Sequence, residues 1–285
     1  MSGRPVAATP AQREQMILQN PELWAMNLTH LAWGWRNMDG WQRRILLSQS
    51  PQLHINCARQ SGKSATLSVK VLHKALTMPK ALILIVAEQR QANEDIIKCK
   101  DLLNTYQKSL KERYDGKLTI GVTADNKTSI ELSNDARIIG LPATEKIRGF
   151  SAPTIVWIDE ASWVDNSVYV GLKPMLMVGG GQLIESSTPN GPQGFFYEDS
   201  KNDNFEHIEV NWHDVPRYSK EQVEMDRLVL GEPYVQQEYE CRFLDGVTSL
   251  FTDKGLRESM DDTQDVFNEE MDKMRQNFEA GVTFV

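Results

Sequence analysis

CARQSGKS, residues 57–64, stands one residue away from the phosphate-binding pattern G-x-x-x-x-G-K-[ST], a loop between a strand and a helix whose backbone N–H groups cradle phosphates. In that pattern the lysine reaches the β- and γ-phosphates, and the hydroxyl after it takes Mg2+. Gly62, Lys63 and Ser64 are in place, while Cys57 occupies the position of the first glycine. The flanks supply the missing context. Residues 53–57, LHINC, read as a short buried strand, and residues 65–76 carry helical periodicity in Leu67, Val71, Leu72 and Ala75 before the stop at Pro79. Strand, loop and helix in that order make Arg59, Gln60, Ser61, Gly62, Lys63, Ser64 and Ala65 the nucleotide-cradling residues.

Outward from the loop, residues 81–87, ALILIVA, form an apolar run of the length of a strand covered on both faces. Residues 89–114 are a long amphipathic helix closed by Asp115-Gly116. Residues 118–122 and 129–132 suggest a hairpin or two short strands about a turn at Asp125-Asn126, and residues 137–141 another short strand. Residues 154–158, TIVWI, deliver Asp159 and Glu160 at a strand end, and residues 182–187 lead into Thr188-Pro189-Asn190-Gly191. This alternation predicts an α/β fold with a mainly parallel central sheet, and with the phosphate loop it resembles a P-loop NTPase core of the ASCE, RecA-like kind. Ligands in such sheets bind outside the carboxyl ends of the strands, where all three motifs emerge.

Upstream, residues 1–20 are polar and interrupted by proline. Residues 21–35 form a helical arm, and an amphipathic helix starts after Asp39-Gly40. After Phe195 the pattern changes: residues 205–210 allow one more strand, and residues 220–240 are charged and helical, broken near Gly231-Glu232-Pro233. The expected organisation is a helical arm (1–34), an ATPase core (35–196), a small C-terminal lid (197–250) and an acidic tail (251–285).

Of the 285 residues, 40% are apolar and 25% charged, as in ordinary globular protein. The net charge of −8 argues against a protein that coats nucleic acid by bulk electrostatics but leaves a local DNA contact open. Three cysteines without regular spacing make neither a disulfide framework nor a zinc site. No stretch approaches about 18 consecutive apolar residues, so no membrane span is expected.

The chemistry follows from residue types. Lys63 neutralises phosphate charge, and Ser64 and Asp159 hold Mg2+ beside bound ATP. Glu160 polarises the attacking water; phosphoryl transfer to water needs little more than positioned charge. Arg59, inside the loop, is either an arginine finger acting on its own site or a surface arginine paired with an acid. Arg148, in a loop beside Gly149, is either a finger or a loop anchor. Thr188, Pro189, Asn190 and Gly191 read as a turn or as a sensor of the γ-phosphate. Gln42 offers an amide to an adenine edge, with Trp41 beside it for aromatic packing.

Together, ARQSGKS, TIVWIDEA and SSTPNG, with KIRGFSAP before the second and WQRRIL before the first, resemble the ATPase domain of the large terminase subunit of tailed bacteriophages. In that family a first loop residue other than glycine is usual. The resemblance spans about residues 35–250. It implies that Lys63, Ser64, Asp159 and Glu160 are the hydrolytic site, that Gln42 reads adenine, and that Thr188 to Gly191 couple hydrolysis to movement. It further implies a homo-oligomeric ring on the portal protein, served by the small terminase subunit, pumping double-stranded DNA into an empty capsid in the host cytoplasm. The family's nuclease domain follows the ATPase, and this chain is expected not to cut DNA. Two other readings stand beside it: a superfamily-2 helicase fragment, whose second RecA-like domain and arginine motif the sequence does not supply, and an ATP-gated scaffold without turnover, which has no need of Glu160.

Overall fold

The structure is a computed structural model and describes residues 8–144, 147 and 149–245. Arg148, Lys146 and the acidic tail (251–285) lie outside the described residues. The chain divides into a unit ending at Phe243 and a second beginning at Leu244.

The strands are β1 (Gln52–Cys57), β2 (Leu82–Ala87), β3 (Val122–Asn126), β4 (Ser129–Leu132), β5 (Arg137–Pro142), β6 (Ile155–Asp159), β7 (Gln182–Ser187) and β8 (Glu206–Val210). They make one sheet in the order β3-β4-β5-β2-β6-β7-β1-β8. From β5 to β8 every pair is parallel, and β3-β4-β5 form an antiparallel edge. Every residue of β2 and of β6 is buried, which is why these strands read as unbroken apolar runs. Alternate residues of β2 face opposite layers: Ile83 and Ile85 join one core, Leu82, Leu84 and Val86 the other.

The first core packs the sheet against α2 (Pro21–Trp33), α3 (Gly40–Leu47), α4 (Lys63–Thr77) and α5 (Gln89–Arg113). The second packs it against α6 (Asn166–Gly179) and α7 (Gly194–Asp199). Helices on both faces of a mainly parallel sheet are the architecture the βα alternation predicts. Among the described residues no helix is long and apolar enough to cross a membrane.

Four features depart from the sequence reading. The first hairpin strand is Val122–Asn126, so Asp125 and Asn126 lie in the strand and the turn falls on Lys127-Thr128; pairing of Asn126 with Ser129 closes that turn and points Ile130 and Leu132 into the core. The polar N-terminal stretch holds a helix, α1 (Pro10–Leu18), begun by a Thr9–Gln12 capping box. Its buried Glu14 accepts from Tyr106 Oη at 2.6 Å, Tyr114 Oη at 3.0 Å and Arg113 Nη1 at 2.9 Å, anchoring the arm to α5. Helix α6, capped by Asp165, carries Gly171 and Pro174 inside it, and these hide its periodicity. Strand β8 pairs with β1 through buried Ile208 and Val210, so the segment outside the sheet begins after Val210 rather than at residue 197. That segment holds α8 (Lys220–Leu230) and α9 (Glu232–Glu238).

Two glycines calibrate the packing. Between α6 and β7, a Cβ on Gly181 would overlap the Pro153 carbonyl oxygen just before β6, whereas a Cβ on Gly40, the first residue of α3, would meet nothing within 4 Å. Gly181→Ala is therefore expected to lose about 3 kcal/mol, a fall of roughly 10 °C in the thermal midpoint, because backbone must move to admit the methyl. Gly40→Ala should leave the midpoint unchanged or raise it. Equal midpoints for the two variants in a calorimetric scan would contradict the close approach at Gly181.

Candidate active site

Register sets the site. Asn56 of β1 pairs with Ser187 of β7, and Asp159 of β6 pairs with Ser186, so the ends of the three motif strands reach the same level. The loop leaving β1 is tied to two distant segments: Ala58 N–H donates to Val210 O at 2.7 Å and Arg59 N–H to Glu238 O at 2.8 Å. Gln60 (φ 56°) and Gly62 (φ 99°) both turn left-handed before α4 starts at Lys63. Gly62 is required there by its φ, which side chains disfavour. Cys57 itself is buried at the strand end, where burial pushes its thiol up to about 12. The loop borders an open cleft of about 700 Å³, lined also by Glu88 just before α5, by Gln91 and Lys98 of α5, and by Glu160, Trp163, Thr188 and Glu238.

In the cleft floor Asp159 is fully buried. Its Oδ2 accepts from Ser64 Oγ at 3.0 Å and from Gln91 Nε2 at 3.1 Å; its Oδ1 accepts from Ser186 Oγ at 2.7 Å. Ser186 is oriented in turn by Trp157 Nε1 at 2.9 Å. Glu160, held in the left-handed region at φ 51°, accepts from Lys63 Nζ at 2.6 Å and from Ser187 Oγ at 3.4 Å. Lys63 Nζ also stands 3.9 Å from Asp159 Oδ1. Burial works against this ammonium, but Asp159 and Glu160 outweigh it and hold its pKa above the ordinary lysine value. Lys63 is charged, and its charge is what lets two carboxylates sit side by side.

Residues 186–190 wrap the turn after Glu160. Ser162 Oγ lies 2.7 Å from Ser187 Oγ and donates to Thr188 O at 2.7 Å, and Asn190 Nδ2 reaches Ser162 O at 3.5 Å. Gly191 closes the motif with φ 71°. Pro189 is buried within it. The turn after Glu160 and this motif are thus in direct contact.

Other sequence candidates are placed as follows. Gln42 is fully buried behind the loop, with both ends of its amide engaged: Oε1 accepts from Asp39 N–H at 2.8 Å and Nε2 donates to Thr66 Oγ1 at 3.2 Å. Trp41 belongs to the hydrophobic core, and Trp35 approaches Gly62, 4.0 Å from where a Cβ would sit. Arg59 is exposed, and its nearest carboxylate is Glu238 of α9, at 3.9 Å. Sequence reasoning missed Gln91, Asp95 and Lys98 on α5, and also Arg217. Arg217 Nη2 donates to Ser61 O at 2.6 Å and Nη1 to Asp39 Oδ2 at 3.1 Å, with the guanidinium 5.8 Å from the Trp35 ring. A search of residues just past the C-terminal end of each parallel strand would have found Gln91, four positions after Ala87.

The donor set suits a hard divalent cation and a phosphate chain. Ser64 Oγ and Asp159 Oδ2 are oxygen ligands of the kind Mg2+ takes, side by side at the cleft floor. The start of α4 and Lys63 supply the positive end for anionic oxygens.

No curated protein matches this chain. Solved structures similar to it include the large terminase ATPase domain of Thermus phage P74-26, at 20% identity over 75% of this chain and 97% of that one, with a TM-score of 0.64. The large terminase of a thermophilic bacteriophage, solved in complex with ADP, is 16% identical over 73% of this chain and 54% of that one, TM-score 0.56. The HK97 bacteriophage large terminase is 16% identical over 70% and 49%, TM-score 0.51, so the chain spans about half of these two longer proteins. Likeness at this level shows a shared fold. The family model for the terminase large subunit, T4likevirus-type, N-terminal, matches residues 54–257, well over half of the chain. The chain belongs to the family of N-terminal domains of T4likevirus-type terminase large subunits.

Proposed function

We propose that this chain binds ATP with Mg2+ and hydrolyses it to drive double-stranded viral DNA into a procapsid. The observation that carries the reading is the joining of Lys63 to Glu160 and of Ser64 to Asp159, at 2.6 Å and 3.0 Å, across the ends of β1 and β6, which flank β7. Family membership and the ADP-bound relative support it.

The loop N–H groups and the start of α4 hold the phosphates, and Ser64 and Asp159 hold Mg2+, which when bound neutralises charge on the β- and γ-oxygens. Lys63 is the residue for which substrate and protein compete. Its ammonium is held by Glu160, and a γ-phosphate draws it away, releasing the carboxylate to accept a proton from the attacking water. ATP thereby arms its own base. Glu160 sits on the turn wrapped by residues 186–190, so departure of the γ-phosphate is read by the coupling motif through Ser162 and Ser187.

By extension, the working form is a homo-oligomeric ring at the portal protein in the host cytoplasm, engaging DNA transiently and receiving it with the small terminase subunit. DNA cleavage is not part of the activity proposed for this chain.

Glu160→Gln should lower steady-state phosphate release by at least about 100-fold, while nucleotide binds as tightly as in wild type or more tightly, because Lys63 no longer has a charged competitor. Turnover equal to wild type would remove Glu160 from the mechanism, whereas nucleotide binding without turnover in wild type would leave an ATP-gated scaffold. Arg59→Ala is expected to reduce kcat more than ATP affinity if its charge acts on the transition state; equal losses would make it a ground-state contact or a partner of Glu238 only. For Arg148→Ala we expect a larger loss of turnover in assembled rings than in monomers, with equal losses contradicting action on a neighbour's site.

A further inference from the structure

Asp159 is held by more than its strand. Gln91, in the first turn of α5, donates from the same Nε2 to Asp159 Oδ2 at 3.1 Å and to Asp95 Oδ1 at 3.2 Å. Both partners are carboxylates, so the NH2 end of the amide must face them; the same nitrogen also lies 3.4 Å from Asp95 Oδ2, and its two hydrogens serve the two carboxylates. Asp95, one helical turn further along, is fully buried, and the same Oδ1 also accepts from Lys98 Nζ at 2.8 Å. Burial and the nearby Asp159 raise the Asp95 pKa. A buried carboxylate this close to a second one is costly unless it has a task or a compensating partner. Here the compensating partners are one amide and one ammonium, both on α5.

The arrangement is asymmetric in a useful way. Ser64 Oγ is itself a candidate ligand of the metal, so its bond to Asp159 is one that Mg2+ would replace. The Gln91 bond competes with no ligand of the loop and fixes the same oxygen from the opposite element. Second-sphere donors of this kind orient metal-holding carboxylates.

We infer that Gln91 and Asp95 are positioning residues for the Mg2+-holding carboxylate: Asp95 orients the Gln91 amide, and Gln91 fixes the rotamer of Asp159, so that α5 presets the metal site before nucleotide arrives. The inference rests on the assignment of Asp159 to Mg2+. It also makes the N-terminal turn of α5 a part of the site on the far side of the cleft from the phosphate loop.

The test is a binding measurement. Affinity for a fluorescent, non-hydrolysable ATP analogue is determined in EDTA and in saturating Mg2+, and the ratio is the gain conferred by the metal. Gln91→Ala and Asp95→Leu should each cut that gain by about tenfold, leave the EDTA affinity unchanged, and together do no more than either alone. Asp95→Asn, which keeps an oxygen for the Gln91 amide, should retain most of the gain. A wild-type gain in Gln91→Ala, or additive losses in the double variant, would overturn the inference; should Asp95→Leu not fold, the half-buried Gln91→Ala decides alone. Absence of any Mg2+ gain in wild type would overturn the metal assignment of Asp159 and this inference with it, whereas a normal wild-type gain that Gln91→Ala retains would overturn the inference alone.

Discussion

One buried ammonium holds the site together. Lys63 is about 10% exposed at its side chain and lies among Asp159, Glu160 and the loop backbone. Without it, two adjacent carboxylates, with Asp95 close behind, would share a low-dielectric cleft floor uncompensated, at a cost of several kcal/mol. With it, the end of β6 and the start of α4 are drawn together across β7, which lies between their strands. The same charge that stabilises the floor is the one a triphosphate needs. Structure and catalysis therefore draw on one group, and substrate binding must loosen one of its contacts.

That competition explains why so many contacts converge on the loop from outside. Arg217 holds Ser61 O and Asp39, Gln42 holds Thr66 and the N-terminus of α3, and Glu238 O receives the Arg59 amide. These ties come from α3, α9 and the segment before α8. One contact route from the loop runs through the Arg59–Glu238 backbone bond to α9. On the other side the route runs from Glu160 through Ser162 to residues 186–190.

Much of this was legible in the sequence because it is local. The apolar runs of β2 and β6, the loop between strand and helix, and the Asp159-Glu160 pair each depend on residues within a few positions of one another. What escaped depends on distance along the chain. Gln91 matters because β2 lies beside β6; Arg217 matters because its segment folds back over Ser61, 156 positions away. Helix α6 escaped for a different reason, since Gly171 and Pro174 erase its periodicity while Asp165 and tertiary burial of Leu172 and Met175 restore the helix. Gln42 shows the limit of residue chemistry: the sequence offers its amide to a base, and the fold engages both ends of that amide within the protein.

In the proposed mechanism, exchange of Lys63 between Glu160 and the γ-phosphate is the step on which hydrolysis and coupling both turn. A crystal structure with a non-hydrolysable ATP analogue and Mg2+ would show it. Lys63 Nζ is expected to leave Glu160, from 2.6 Å to beyond hydrogen-bond reach, and to contact the β- and γ-phosphate oxygens, with Ser64 and Asp159 facing the metal. Nucleotide bound in the cleft with the Lys63–Glu160 pair intact would rule the exchange out.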